Sequence, residues 1–330
     1  MEVVAVADGG GTKTDVAIIA VDGTTLARER LASFVPYDVG AARTAAQLDA
    51  AFRAMLEPLG ATVVAVAGAY FAGIDFPYEQ AEFRAQLEKY PWAQGHLLVD
   101  NDMRPLMRAG TAEDTAVAVV CGTGMNCLGW APGGKVARFA AIGEVAGDWG
   151  GGWTIGMQAI WHAARAADGR GPQTLLESLT LQALGRASMD EVILAFHKGE
   201  LRESDTKSLL TPLVFQAAAA GDEVALGVVA RQAEEIVAYA SAAIKRLGVG
   251  GQPCPIVLGG GIIAARPAAL MAMIDQQLTA ALPEAQLIIV EDPPVVGAAL
   301  LAFETLGARP ELLDQVRSSL RAADPARRTP

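Results

Sequence analysis

Short apolar runs and glycine-rich turns alternate at the start of the chain. Val3–Val6 is an apolar run, Asp8–Thr14 contains three consecutive glycines, and Val16–Val21 is a second apolar run that ends at Asp22-Gly23. Apolar runs bounded by such turns are typical of β-strands. The segment therefore predicts a strand, a glycine turn, a second strand and a closing turn.

The same plan recurs about 110 residues later, which indicates that one fold unit is used twice. Thr115–Val120 is apolar, Cys121–Asn126 forms a glycine-containing turn, and Cys127–Trp130 returns to a closing turn at Pro132–Gly134. A further junction of this kind, in which a predicted strand runs into consecutive glycines, is formed by Pro255–Leu258 and Gly259, Gly260 and Gly261.

Segments with helical periodicity separate these strands. The predicted helices are Ala42–Leu56, Glu79–Lys89, Ile155–Ala167 and Val224–Leu247, and two further strands are predicted at Val63–Ala67 and His96–Val99. Strands that alternate with helices predict an α/β fold. Trp149, Trp153 and Trp161 are predicted to be mainly core residues, with Trp149 also suited to stack on the flat face of a ligand.

The chain has 330 residues, which predicts two domains. We place them at residues 1–113 and 114–296, the second with helical insertions. A final helix at about 297–320 is expected to return to the first domain, and residues 324–330 have the composition of a frayed tail.

A net charge of −11 argues against nucleic acid or an anionic membrane as a partner. Cys121, Cys127 and Cys254 form no CxxC pair, which fits a reducing compartment. No uncharged apolar run reaches the length of a membrane span, and no cleavable leader is apparent. The sequence thus predicts a cytoplasmic protein that binds small molecules, with a homodimer left open.

Both glycine turns can hold phosphate. Consecutive glycines let backbone N–H groups approach an anion closely, and two such turns can clamp a polyphosphate. For either turn alone, a simple hairpin is an equally good interpretation. Gly129–Lys135 has Walker A spacing, but Val136 replaces the residue that would hold Mg²⁺, so this segment is predicted to be a hairpin turn.

In combination, three motifs resemble the two phosphate motifs and the adenosine motif of the sugar kinase, Hsp70 and actin superfamily: Asp8–Thr14, Gly122–Asn126 and Gly259–Gly261. The pair Asn101-Asp102 and the segment Gly147-Asp148 add a resemblance to the BadF/BadG/BcrA/BcrD ATPase family, which includes N-acetylglucosamine kinases. The resemblance spans essentially the whole chain. It implies two ribonuclease H-like domains that bind ATP and Mg²⁺ in a cleft between them, and transfer of phosphate to an amino sugar.

The resemblance also assigns roles by position. Asp102 corresponds to the base that accepts the sugar hydroxyl proton, although an aspartate there can also simply cap a helix. Asp8 and Asp148 correspond to residues near the metal. The implied ATP contacts are Asp8, Gly9, Gly10, Gly11, Thr12, Lys13, Thr14, Gly122, Thr123, Gly124, Gly259, Gly260 and Gly261, and the implied sugar contacts are Gly73, Asp102, Thr123 and Asp148.

The substrate loops depart from the family pattern. The asparagine that holds the sugar in these kinases has no counterpart within Ser33–Gly40, where Tyr37 or Asp38 is the available substitute. Two alternatives stay open: an ATPase activator of a dehydratase or reductase, and a regulator that binds without turnover. The activator would need two well-placed cysteines per chain for a shared iron–sulfur cluster.

Overall fold

The computed structural model describes residues 1–60 and 63–324. Its strands are β1 Glu2–Gly9, β2 Lys13–Ala20, β3 Thr25–Ala32, β4 Val63–Phe71, β5 His96–Asp100, β6 Ala116–Cys121, β7 Met125–Ala131, β8 Lys135–Arg138, β9 Cys254–Gly259 and β10 Ala285–Ile289. Its helices are α1 Pro36–Val39, α2 Ala41–Leu56, α3 Pro77–Leu87, α4 Met103–Gly110, α5 Gly151–Ala167, α6 Leu175–Leu184, α7 Met189–His197, α8 Glu203–Ala219, α9 Glu223–Leu247, α10 Gly261–Ala264, α11 Ala268–Ala281, α12 Pro294–Thr305 and α13 Pro310–Ala322.

The chain forms two compact units. The first contains Met1–Ala118, Arg138–Ala140 and the segment from Val290 onward, and the second contains Val119–Ala137 and Ala141–Ile289. The domain boundary near residue 113 stays a prediction of the sequence.

The first unit is built on a five-stranded sheet with the order β3-β2-β1-β4-β5. β1 pairs antiparallel to β2 and parallel to β4, and β4 pairs parallel to β5. Alternate residues of β1 enter two different cores: Val3 and Ala5 pack with Phe52 of α2, whereas Val4 and Val6 pack with α12. Because both faces of the sheet are covered, β1 is apolar at every position from Val3 to Ala7 rather than at every second one.

The second unit repeats this arrangement. Its sheet has the order β10-β9-β6-β7-β8, so β6 to β10 occupy the same places as β1 to β5. β9 is buried along its whole length, which explains its continuous apolar sequence. This repetition confirms the predicted α/β class and the double use of one unit.

Several elements differ from the sequence-based expectation. β3, α4 and β8 were not predicted, and the final helix is two helices, α12 and α13. The residues between β7 and β8 form the predicted hairpin turn, with positive φ at Gly133 and Gly134. The predicted tail lies outside the described residues except for Asp324, which pairs with Arg28 at 3.5 Å.

In the described part of the chain, no single helix is both long and apolar enough to cross a membrane. Taken together, α8 and α9 are long and apolar enough by length and composition alone, but the two helices are bent by 111° relative to each other.

Candidate active site

Asp102 lies where β5 ends and α4 begins. It occupies the N-cap position, but its carboxylate does not accept a hydrogen bond from the first turn of the helix. The side chain of Asn101 does so instead, since its Oδ1 accepts a hydrogen bond of 2.9 Å from the Met103 amide. The geometry therefore does not support the simple capping interpretation of Asp102, and its carboxylate is left for other chemistry.

The surroundings of Asp102 favour its protonated form more than water does. Burial, together with the negative charge of Asp75, raises the pKa of Asp102 to about 7. A carboxyl group with a pKa near neutral holds a proton more strongly than an ordinary aspartate, so it is a better proton acceptor at physiological pH.

Asp75 was not identified from the sequence as a site residue. It follows β4, the strand next to β5, and its Oδ1 accepts a hydrogen bond of 2.9 Å from Nδ2 of Asn101. The carboxyl ends of adjacent parallel strands meet at one sheet edge, which brings the two loops together. In the sequence, Asp75 resembles an ordinary turn residue ahead of Pro77.

Asp8 lies near the end of β1 and is buried. Its Oδ1 has no hydrogen-bond partner in residues 1–60 and 63–324. Burial, followed by the charges of Asp102 and Asp15, raises the pKa of Asp8 well above its usual range, while Lys13 lowers it. A buried carboxylate oxygen without a protein partner is costly unless a ligand satisfies it, so Asp8 fits the predicted contact to hydrated Mg²⁺.

The turn between β1 and β2 is tight and partly exposed. The Gly10 amide donates to the Lys13 carbonyl at 2.9 Å, and Gly11 and Thr12 are exposed. Lys13 forms an ion pair of 3.1 Å with Asp15. Thr14 is fully buried within β2, and its contact to phosphate stays a prediction.

Gly73 and Tyr37 lie against one another in the first unit. A Cβ atom on Gly73 would come within 2.2 Å of the Tyr37 ring, and one on Gly11 within 2.9 Å of the Tyr37 hydroxyl. Burial and the charges of Asp38, Asp102 and Asp75 raise the pKa of Tyr37. The aromatic ring thus lies between the β1–β2 turn and the loop that follows β4.

In the second unit, the turn Gly122–Gly124 is joined to the start of α5. The Gly152 amide donates to the Gly122 carbonyl at 2.8 Å, and the Trp153 amide donates to the Thr123 carbonyl at 2.9 Å. The Thr123 side chain is exposed. These bonds fix the shape of the turn before any ligand binds.

The glycines of this unit fall into two groups. A Cβ atom on Gly260 would lie 2.4 Å from the Cys121 carbonyl oxygen, so the close approach of β6 and β9 requires glycine there. Gly124 and Gly261 have no atom within 4 Å of the position a Cβ would take. Packing therefore does not require glycine at these two positions, whereas the close approach of a ligand would. Gly259 is buried in β9.

The Asp148 carboxylate accepts two hydrogen bonds. Its Oδ2 accepts a hydrogen bond of 2.9 Å from the Gly143 amide, and its Oδ1 accepts one from the Tyr239 hydroxyl. The carboxylate therefore closes the loop between residues 143 and 148. Asp148 belongs to the second unit and Asp8 to the first, and the shared role near the metal stays a prediction.

Two other groups of side chains bear on the alternatives. Cys121, Cys127 and Cys254 are free and buried. Burial raises the pKa of the Cys121 thiol to about 12.

The prediction that the tryptophans are core residues is wrong for Trp153 and Trp161. Both side chains are exposed, Trp153 beside Lys207 and Trp161 beside Arg165. Within the described ranges, no three His, Cys, Asp or Glu side chains cluster as metal ligands.

Comparison with known proteins gives one family match. Residues 7–302 match the model of the BadF/BadG/BcrA/BcrD ATPase family. An N-acetyl-D-glucosamine kinase of Dictyostelium discoideum is 25% identical over 309 residues, which are 90% of this chain and 97% of the relative. An N-acetylmuramic acid/N-acetylglucosamine kinase of Clostridium acetobutylicum is 29% identical over 169 residues, which are 51% of this chain and 55% of the relative.

A solved structure shows the same fold. The crystal structure of a protein named as an N-acetylglucosamine kinase, from Chromobacterium violaceum, superposes with a TM-score of 0.69 at 21% identity. The alignment covers 91% of this chain and 98% of that one.

Proposed function

The chain belongs to the BadF/BadG/BcrA/BcrD ATPase family, which confirms the resemblance found in its glycine motifs, and from this premise we propose that it is an ATP-dependent kinase of amino sugars. The acceptor is N-acetylglucosamine or a closely related sugar. The observation that carries the proposal is Asp102, whose carboxylate does not cap α4 and whose pKa is raised to about 7 beside Asp75.

Asp102 is the general base of the reaction. It accepts the proton of the sugar hydroxyl as the hydroxyl oxygen bonds to the γ-phosphorus and the bond to the β-phosphate oxygen breaks, so that ADP leaves. A base with a pKa near 7 is ionised in about half of the molecules at neutral pH, and it binds a proton more strongly than an ordinary carboxylate.

Asp8 and the β1–β2 turn are suited to contact nucleotide phosphate, and so is the turn Gly122–Gly124 of the second unit. Asp8 would hold Mg²⁺, which would supply positive charge against the phosphates, and Asp148 is the second predicted residue near the metal. Gly10, Gly11, Gly122 and Gly124 let backbone N–H groups approach the phosphates, and Lys13 contributes positive charge.

The relatives support an amino sugar as the acceptor. Both curated proteins carry N-acetylglucosamine kinase in their names, and one of them also carries N-acetylmuramic acid. In this chain, Tyr37 lies where the family has a sugar-binding loop, and its contact with Gly73 places an aromatic surface near Asp102. An aromatic face packs well against the apolar face of a sugar ring.

The activator alternative finds less support. A cluster shared between two subunits needs thiolates at an exposed surface, whereas all three cysteines are buried. Burial also raises the pKa values of Cys121 and Cys127, which opposes thiolate formation.

An assay of ADP release with ATP and Mg²⁺ tests the proposal. We expect release that depends on the sugar, with N-acetylglucosamine or N-acetylmuramic acid preferred over glucose and over anhydro-sugars. The matched control is Glu82→Gln, an exposed acid on α3, which we expect to leave turnover unchanged. ADP release that no sugar stimulates would favour the activator, and sugar binding without turnover would favour a regulator.

A further inference from the structure

The turn that carries Asp102 is held by a pair of side chains from two loops. Asn101 is almost completely buried, with 2% of its surface exposed. Its Nδ2 donates to Asp75 at 2.9 Å and its Oδ1 accepts from the Met103 amide at 2.9 Å. Both ends of the Asn101 amide are therefore engaged, which fixes its orientation and the conformation of the backbone from residue 101 to residue 103.

The loop that carries Asp75 is itself anchored. Oε2 of Glu79, in the first turn of α3, accepts hydrogen bonds from the amides of Asp75 and Phe76 at 2.9 and 3.0 Å. The side chain of the next residue, Gln80, donates to the carbonyl of Val99 in β5. α3 thus holds the loop after β4 against the end of β5, so Asp75 is a rigid partner for Asn101.

We propose that Asp75 is a positioning residue that acts through Asn101 to hold the Asp102 carboxylate in place for the acceptor hydroxyl. The inference rests on the proposed function, because Asp102 is given its role there. A displacement of about 1 Å at a reacting group can lower a rate by about 10²-fold, so a contact of this kind is worth testing by kinetics.

Electrostatics supports the same arrangement. The groups within electrostatic reach of Asp102 are Asp75 after β4, Asp8 on β1 and Tyr37 after β3. Of these, Asp75 contributes most to the raised pKa of Asp102 after burial. Its carboxylate would repel Asp102 if nothing held the two loops, and the Asn101 amide that Asp75 binds supplies that restraint.

The test is a double-mutant cycle on kcat at pH 8 with the best sugar acceptor. We expect Asp75→Ala and Asn101→Ala each to lower kcat by roughly 10- to 100-fold, with KM for ATP unchanged within about twofold. The double variant should be no slower than the slower single variant, because both substitutions break one shared contact. Asp75→Asn retains an acceptor oxygen for Asn101, so its kcat should stay within about fivefold of the wild-type value. Glu82→Ala is the matched control on α3.

Three kinetic results would overturn the inference: an Asp75→Ala variant with wild-type kcat, independent effects that multiply in the double variant, or an Asp75→Asn variant as slow as Asp75→Ala. If Asp75→Ala does not fold, Asp75→Ser replaces it, since the serine side chain is too short to reach Asn101.

Hydrogen exchange of the apo protein separates this inference from the proposed function. We expect Asp75→Ala to raise the exchange rate of the Met103 amide about tenfold and Glu82→Ala to leave it unchanged. Unchanged exchange in Asp75→Ala would overturn the inference even if the kinase assay succeeds. A wild-type protein that phosphorylates no sugar would overturn the proposed function alone, because the exchange rate still decides whether Asp75 holds the turn.

Discussion

Replacing Asp102 by Asn should stabilise the protein while it removes most of the activity. The carboxyl has a pKa of about 7 in the folded chain, against an ordinary value of 3.8. Between these two values the unfolded chain releases a proton that the folded chain retains, so stability falls as the pH rises from about 4 to about 7 and stays low above it. Asn has the same shape and no charge, so the variant does not lose stability in this way.

The magnitude follows from the two pKa values. A difference of about 3 corresponds to about 4 kcal/mol of unfolding free energy as an upper limit. Asp102 is only half-buried, and the exposed part of its side chain reduces this figure, so we expect Asp102→Asn to gain roughly 1 to 4 kcal/mol at pH 8. Near pH 4 the wild-type carboxyl is neutral in the folded state, and the gain should nearly vanish. Loss of a general base lowers kcat by roughly 10²- to 10⁴-fold.

Urea denaturation of wild type and Asp102→Asn at pH 4.5, 6 and 8, without ligands, measures the gain, and ADP release measures kcat. A stability difference that does not change with pH would refute the argument, because the difference arises only from ionisation of Asp102. Wild-type turnover by Asp102→Asn would show that a different group is the base.

The remaining predictions concern other parts of the site. kcat/KM of the wild type should fall about fivefold between pH 7 and pH 6, because about half of Asp102 is ionised at pH 7 and only about a tenth at pH 6; a fall in kcat/KM that begins only below pH 5 would contradict its raised pKa. Gly124→Ala should fold normally and raise KM for ATP about tenfold, whereas Gly260→Ala should destabilise the second unit, as thermal melts and ATP titrations can show. Tyr239→Phe should lose about 1 kcal/mol of stability through its bond to Asp148 and raise KM for the sugar, since the loop from residue 143 to residue 148 loosens; an unchanged KM would remove Asp148 from the sugar site. The native protein should react with no thiol reagent at Cys121 or Cys127 until it is denatured, and it should contain no iron when purified without oxygen.

The sequence predicted the strands that contain a continuous apolar run, and it missed β3, which lacks one. β1 and β9 are buried on both faces, so their residues form continuous apolar runs that are easy to recognise. β3 lies at the edge of its sheet and contains Arg28, Glu29 and Arg30, so it lacks such a run. α4 was missed because it is short and contains Pro105 near its start.

Candidate site segments could be recognised in the sequence where a motif is continuous in the chain. Gly9–Thr14 and Gly122–Gly124 are continuous segments, and their glycines indicated a turn that approaches phosphate. The contact of Asp75 with Asn101 joins residues 26 positions apart and exists only because β4 and β5 are neighbours. Trp153 and Trp161 show another limit of sequence-based prediction. Their helical spacing indicated that they lie on one helix, α5, but it did not determine which side of α5 faces solvent.

The shared strand order of the two sheets also bears on the history of the chain. β1 and β6 hold equivalent places, yet β1 ends with Asp8-Gly9 and β6 ends with Cys121, directly before Gly122. If the two halves arose by duplication, they began identical, and one of these two positions has since changed its side chain. An acidic residue now ends the strand in one half, whereas a neutral thiol ends it in the other.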